Sequence, residues 1–126
     1  MAEHFIKNMD FSKVLEMETL VEYQKGQVIS RTLAQGKPLS ITLFAFDKGE
    51  EISSHSSGGD ALVFMLDGEA EITVGEEKFD VKKGETIVMP AGISHALFAK
   101  EQFKMLLIVV FELWEERKCC HERFCR

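Results

Sequence analysis

Two histidines among small residues are the side chains best suited to chemistry in this sequence. His55 opens the segment HSSGGDA, and His95 closes the segment PAGISH forty positions later. A neutral imidazole can ligate a transition metal or form a hydrogen bond with a small molecule. If the fold brings the rings together, the pair predicts a metal site, the polar wall of a ligand pocket, or two buried structural histidines.

The elements that must position these histidines have the pattern of short strands between glycine turns. In residues 69–74, small and aliphatic side chains alternate with Glu and Thr, which is typical of a half-buried strand. The dipeptide Asp67-Gly68 predicts a hairpin turn. Turn signals at this spacing favour an antiparallel sandwich or barrel, with strands at 39–46, 62–66, 69–74, 78–81, 86–89 and 103–111.

Helix is predicted only near the two ends of the chain. Residues 11–21 could begin a helix with Ser12 as its N-cap, and residues 112–126 contain good helix formers without a breaker. We therefore divide the chain into an N-terminal part, 1–38, with strands or a short helix packed on the barrel. A barrel core, 39–111, and a C-terminal tail, 112–126, follow.

Two glycine-framed segments resemble the two sequence motifs of the cupin family. In the first, five residues separate Gly49 from His55, and Gly68 closes the segment. The second motif is matched by Gly84, Pro90, Gly92 and His95. The resemblance covers about residues 39–111. It implies an all-β double-stranded β-helix, which is a jelly-roll barrel, with short helices confined to the termini.

The resemblance to cupins also implies where a metal would bind. Metal-binding cupins use two histidines and a glutamate from the first motif and one histidine from the second. His55 and His95 match, but Ser57 and Ala61 stand at the other two ligand positions, and Ala99 replaces the asparagine of the second motif. A divalent transition metal such as zinc, iron, manganese or nickel would be held weakly, because catalytic zinc usually has three protein ligands.

Asp60 is the carboxylate that could complete a set of two histidines and one acid. Side chains alternate along a strand, so Asp60 should face outward if Ala61 faces the interior. A bulge at Gly58-Gly59 could reverse that order. Otherwise Asp60 is expected to cap nearby backbone amides.

Serine and alanine at two ligand positions remove bulk and charge from the predicted interior. Strand alternation then predicts a mainly apolar pocket for a small-molecule ligand. Its alternative is a barrel that its own side chains fill completely. The predicted pocket residues are Ser57, Ala61, Val63, Met65, Leu97 and Ala99.

Composition narrows the classes of partner. The formal net charge of −6 argues against binding to nucleic acid, and the longest apolar run, 105–111, is too short to span a membrane. The N-terminal residues carry charges and resemble no secretory signal, so we expect a cytoplasmic protein. All three cysteines, Cys119, Cys120 and Cys125, lie beside His121 in the tail, where their spacing fits neither a disulfide framework nor a usual zinc motif.

These observations lead to three hypotheses about function. The first is a small cupin that binds a small molecule inside its barrel, with a reduced or altered metal site. The second is a metal-dependent cupin enzyme of the dioxygenase, isomerase or decarboxylase type, in which His55 and His95 hold the ion. The third is an assembly role. Small cupins that resemble this chain are often homodimers, and the apolar strand at 103–111 fits such an interface.

Overall fold

A single antiparallel β-sheet, curled on itself, organises residues 4–111, which are the part of the chain that the computed structural model describes. One short 3-10 helix, Met17–Leu20, precedes the sheet. The strands are β1 (Val28–Gln35), β2 (Leu39–Phe46), β3 (Glu51–His55), β4 (Asp60–Val74), β5 (Glu77–Lys82), β6 (Thr86–Met89), β7 (His95–Phe98) and β8 (Phe103–Val110). The predicted all-β jelly-roll barrel is confirmed.

Strand β4 is the centre of this topology. The sheet runs in the order β1-β2-β8-β4-β7-β3, and β5 and β6 also pair with β4. The first half of β4 pairs with β6 and β8, and its second half pairs with β5 and β7. Because one strand serves both halves of the sheet, a bend in β4 closes the two halves around one interior.

The hairpin predicted at Asp67-Gly68 is wrong. Strand β4 continues through this dipeptide, with a register shift between Met65 and Asp67 where it pairs with β8. Gly68 has φ +74°, and a Cβ there would overlap the backbone carbonyl of Gln102. The glycine therefore permits a bend and a close approach to β8, rather than a reversal of the chain.

The helix predicted for residues 11–21 is also wrong, except for the single turn Met17–Leu20. Ser12 has φ +57°, whereas an N-cap residue has an extended backbone. Tertiary packing decides the conformation here, because Met17 and Leu20 pack on the outer face of β1 and β2 against buried Leu33 and Leu43. The predicted tail helix and the tail cysteines lie outside the described residues.

The interior core fills one end of the barrel. Phe46 and Phe103 stack with ring centroids 4.4 Å apart, and both are fully buried with Met65 and Ile72. Further along β8, Leu107 and Val109 are only partly buried. The barrel is therefore solid at the Phe103 end and less completely filled toward Val109. No helix within residues 4–111 is long and apolar enough to cross a membrane.

Candidate ligand site at the paired histidines

The two histidines lie directly opposite each other on neighbouring strands. Strand β3 ends at His55 and β7 begins at His95, and the antiparallel register pairs these two residues after a shift that follows Ile52. Their rings meet edge to face, with centroids 4.4 Å apart and planes inclined at 70°. Sheet pairing thus brings together side chains that are forty residues apart in sequence.

The two imidazoles have different surroundings. His95 is only 4% exposed, and its buried Nδ1 has no hydrogen-bond partner within residues 4–111. Burial, followed by the neighbouring His55, lowers the pKa of His95, and the backbone of Ile93 opposes this shift to a smaller extent. The lowered pKa favours the neutral form of the His95 imidazole.

His55 is exposed, and a backbone contact assigns its tautomer. Its Nδ1 lies 3.0 Å from the carbonyl oxygen of Ser53. A carbonyl can only accept a hydrogen bond, so Nδ1 carries the proton. In the neutral ring, Nε2 then keeps its lone pair and can accept a hydrogen bond or bind an ion.

A cavity of about 230 Å³ adjoins the two rings. Its walls come mainly from β8, β3 and β7, with one residue each from β2, β4 and β6, and no lysine, arginine, aspartate or glutamate lines it. The polar side chains at its surface are the two histidines and Ser57. The other lining residues are Phe44, Ile52, Ala61, Met89, Leu97, Met105, Leu107, Val109 and Phe111.

The known proteins to which this chain is similar agree with this architecture. The sequence model of the cupin domain matches residues 42–111, which is more than half of the chain. The chain belongs to the cupin family. A solved cupin superfamily protein from Desulfitobacterium hafniense is 36% identical, with a TM-score of 0.81 over 85% of this chain and 98% of its own.

Two further relatives support the membership. A solved Streptococcus pyogenes protein of unknown function, SPY1581, is 50% identical, with a TM-score of 0.87 over 90% of this chain and 100% of its own. An uncharacterised protein of Streptomyces coelicolor is 32% identical over 71 residues, which are 56% of this chain and 68% of that protein. The structural similarity to SPY1581 covers nearly the whole chain.

Three of the predicted pocket residues of this cupin line the cavity, and three do not. Ser57, Ala61 and Leu97 are in the lining. Val63, Met65 and Ala99 are fully buried in the core instead, because the aromatic packing around Phe103 fills that end of the barrel.

Sequence reasoning missed most of the apolar lining of the cupin cavity. Alternation along β8 could have indicated Met105, Leu107 and Val109, since these positions share one face of the strand. Phe44 and Ile52 carry no local signal that separates them from ordinary core residues. Their place depends on which strands pair across the barrel.

Ser57 contributes little to the polar wall. Its hydroxyl accepts a hydrogen bond from the amide of Gly59 at 3.1 Å and donates to the carbonyl of the same residue at 3.3 Å. These bonds satisfy the hydroxyl locally. The imidazoles are consequently the groups that can bind the polar part of a ligand.

Asp60 does not join the two histidines. Its Oδ1 accepts a hydrogen bond of 2.8 Å from the amide of Ala91, and its side chain is exposed, whereas Ala61 is buried. The register shift of β4 follows Met65 and leaves the alternation at Asp60 and Ala61 unchanged. Asp60 thus occupies the backbone-capping position that was the alternative to metal ligation.

The donor set at this site does not fit a resident metal ion of the usual cupin kind. Within residues 4–111, no group of three or more His, Cys, Asp or Glu side chains could hold a metal. Two imidazoles alone fall short of the three protein ligands of a catalytic zinc site. The apolar lining suits an uncharged ligand better than a cation.

Proposed function

We propose that this cupin binds a small, mainly apolar molecule in the cavity beside His55 and His95. The observation that carries the proposal is the buried imidazole of His95, which with His55 lines a cavity that is otherwise almost entirely apolar and whose Nδ1 has no partner within residues 4–111. A buried polar atom without a partner costs about 1–3 kcal/mol. An apolar side chain at position 95 would avoid this cost, so we infer that the imidazole serves a ligand.

The dimensions of the cavity support a small ligand. An apolar protein cavity of about 150 Å³ accommodates benzene. The volume here, about 230 Å³, suits one ring with a few additional atoms. A ligand of this size would bury its apolar body against Phe44, Met105 and Leu107, which are side chains of the kind that usually line ligand pockets.

The test is the melting temperature in the presence of a chelator and of three probes, p-xylene, p-cresol and p-toluate. A ligand that binds only the folded protein stabilises it by about 2.7 kcal/mol at a concentration of one hundred times Kd. We expect at least one probe to raise the melting temperature, and Ala61→Leu to reduce that shift by filling the cavity. Ala96→Leu, on the opposite face of β7, is the matched control.

The shifts in melting temperature of the parent protein and the two variants decide whether the proposed ligand site exists. If no probe shifts the melting temperature, or if Ala61→Leu and Ala96→Leu behave alike, the proposed ligand site is wrong. A shift that Ala61→Leu alone weakens supports binding inside the barrel rather than on its surface.

One observation favours a second candidate, the metal-dependent enzyme. The bond from Nδ1 of His55 to the Ser53 carbonyl leaves Nε2 unprotonated, which is the arrangement that metal-ligating histidines usually have. A dioxygenase, isomerase or decarboxylase of this type would need water or substrate to complete the coordination shell. Elemental analysis of untagged protein should then show about one transition ion per chain, and His55→Ala with His95→Ala should remove it.

We also propose that two copies of the chain associate through the outer face of β4, β6 and β8. Leu62 pairs in register with Val88 on one side and Ile108 on the other, and Phe64 and Val88 are 37% and 50% exposed. The N-terminal residues pack on β1 and β2 and reach Leu66 and Leu106, but this cluster does not include Leu62, Phe64, Val88 or Ile108. Leu62, Phe64, Val88 and Ile108 are all apolar, so two copies that meet at this patch would bury no charged side chain among these four residues.

Sedimentation should detect the dimer and locate its interface. We expect Phe64→Glu to yield monomers, whereas Phe79→Glu on β5, at a position of similar exposure, should leave the dimer intact. A monomeric parent protein, or equal effects of both substitutions, would rule this interface out. A cytoplasmic location also stays a prediction, based on cysteines whose number and positions fit no disulfide framework.

A further inference from the structure

The polar end of the cavity offers an unusual combination of groups for a ligand. Nε2 of His55 presents a lone pair, because Nδ1 of that ring donates to the Ser53 carbonyl. The ring of His95, with its centroid 4.4 Å from that of His55, lines the same cavity. A ligand group that contacts both rings must be able to donate a hydrogen bond to His55.

The charge of the lining restricts the ligand further. No lysine, arginine, aspartate or glutamate lines the cavity, so an ionised ligand would lose its hydration without gaining a fixed counter-charge. A carboxylate also fails for a second reason, since it only accepts hydrogen bonds and cannot pair with the lone pair of His55. An ammonium group is disfavoured by its charge alone. A ketone is uncharged but only accepts hydrogen bonds, so it cannot pair with the lone pair of His55 either.

A hydroxyl group meets these requirements with a single atom. It donates one hydrogen bond and can accept another, so it can serve His55 and His95 whichever nitrogen of His95 carries the proton. Ser57 does not compete for it, because Gly59 already engages the Ser57 hydroxyl. The apolar remainder of the ligand would then face β2 and β8.

We propose that the cavity selects an uncharged alcohol or phenol of about one ring, with its hydroxyl between His55 and His95. This inference rests on the proposed ligand-binding function and specifies the chemical class of the ligand. It does not require a metal ion, because the two imidazoles provide the polar contacts themselves.

Two nearly isosteric probes test the role of the hydroxyl group. Para-cresol and p-xylene differ in one substituent on the ring, a hydroxyl group in the first and a methyl group in the second. Para-toluate carries a carboxylate at the same position. Titration calorimetry near pH 7 with a chelator should show p-cresol binding roughly tenfold or more tightly than p-xylene, because a site built around a hydroxyl rejects analogues that lack it. Para-toluate should bind most weakly of the three.

The histidine variants show which residues cause the preference. His95→Leu should still bind p-xylene, which proves that the cavity is intact, and should lose most of the preference for p-cresol. His55→Leu should have the same effect, whereas His4→Leu, an exposed histidine paired with Phe11, should keep the full preference.

The failures of the two proposals are distinguishable. Binding of p-xylene as tight as that of p-cresol, or tightest binding of p-toluate, overturns the hydroxyl inference and leaves the ligand-binding function in place. A preference that survives both His55→Leu and His95→Leu also overturns it. If none of the probes binds the parent protein, both proposals are wrong.

Discussion

Tyr23 donates a hydrogen bond of 2.5 Å to Asp67, and this bond ties the N-terminal segment to the bend of β4. Lys104 lies over the tyrosine ring, 4.9 Å from its centroid, and donates to the backbone carbonyl of Glu18. The three side chains hold the segment against the point where the central strand changes direction. Burial, and then the hydrogen bond to Asp67, raise the pKa of Tyr23.

The raised pKa predicts a loss of stability at alkaline pH. The unfolded chain loses its tyrosine proton at about pH 10, whereas the folded chain keeps it to higher pH. Folding therefore retains a proton, and the stabilisation is complete below pH 10 and declines as pH rises above it. Tyr23→Phe should lower the free energy of unfolding at neutral pH by about 1 kcal/mol and flatten the alkaline decline.

Absorbance of tyrosinate provides a direct measurement, because Tyr23 is the single tyrosine in the sequence. Ionisation should coincide with unfolding in an alkaline titration followed by circular dichroism. A tyrosine that ionises near pH 10 while the protein remains folded would contradict this account.

We also expect that the side chain of His95 does not stabilise the folded protein. His95→Leu removes a buried nitrogen that lacks a partner, so the free energy of unfolding should stay the same or rise by about 1 kcal/mol. Met89→Ala, in the same cavity wall, should lower it by about 3 kcal/mol. Denaturant unfolding of both variants decides the matter, and a loss above about 2 kcal/mol in His95→Leu would indicate a structural histidine.

Local patterns predicted the strands well and their connections less well. The segment 39–46 coincides with β2, and 78–81, 86–89 and 103–111 overlap β5, β6 and β8, because alternation and glycine turns are local signals. Strands β3 and β7 were not predicted as separate strands. Both strands are short, β3 pairs with β7, and β7 also pairs with β4, so they depend on strand pairing, which is not a local property.

The candidate site shows the same division between local and non-local information. His55 and His95 were found by residue type and motif spacing, and Ser57 and Ala61 by the ligand positions that they occupy. Which neighbouring positions line a cavity depends on how completely the barrel is filled. The stacked rings of Phe46 and Phe103 determine how far the core fills the barrel, and no sequence pattern predicts such a stack.

The small number of metal ligands at this site predicts that a chelator has little effect on the protein. Two imidazoles without a nearby carboxylate in the described barrel should bind a divalent ion only weakly. Dialysis of untagged protein against a chelator should leave its melting temperature and its p-cresol shift unchanged. Addition of zinc should produce at most a small shift. A large loss of stability on chelation would favour the metal-dependent enzyme over the metal-free ligand site.

The bend of β4 should depend on Gly68 more than on any ordinary turn glycine. Gly68 and Gly84 both have positive φ, at +74° and +86°, but only at Gly68 would a Cβ meet neighbouring backbone, namely Gln102 and Phe103. Gly84→Ala should cost about 1 kcal/mol for its backbone conformation alone. Gly68→Ala should cost more than about 3 kcal/mol, since the start of β8 must also move.

Denaturant unfolding of the two glycine variants measures this difference directly. The displaced strand β8 supplies Met105, Leu107 and Val109 to the cavity wall, so Gly68→Ala should also weaken p-cresol binding although it lies outside the cavity lining. Equal stability losses in Gly68→Ala and Gly84→Ala would show that β8 can shift without cost. In that case the close approach at Gly68 would not be what fixes the shape of the barrel.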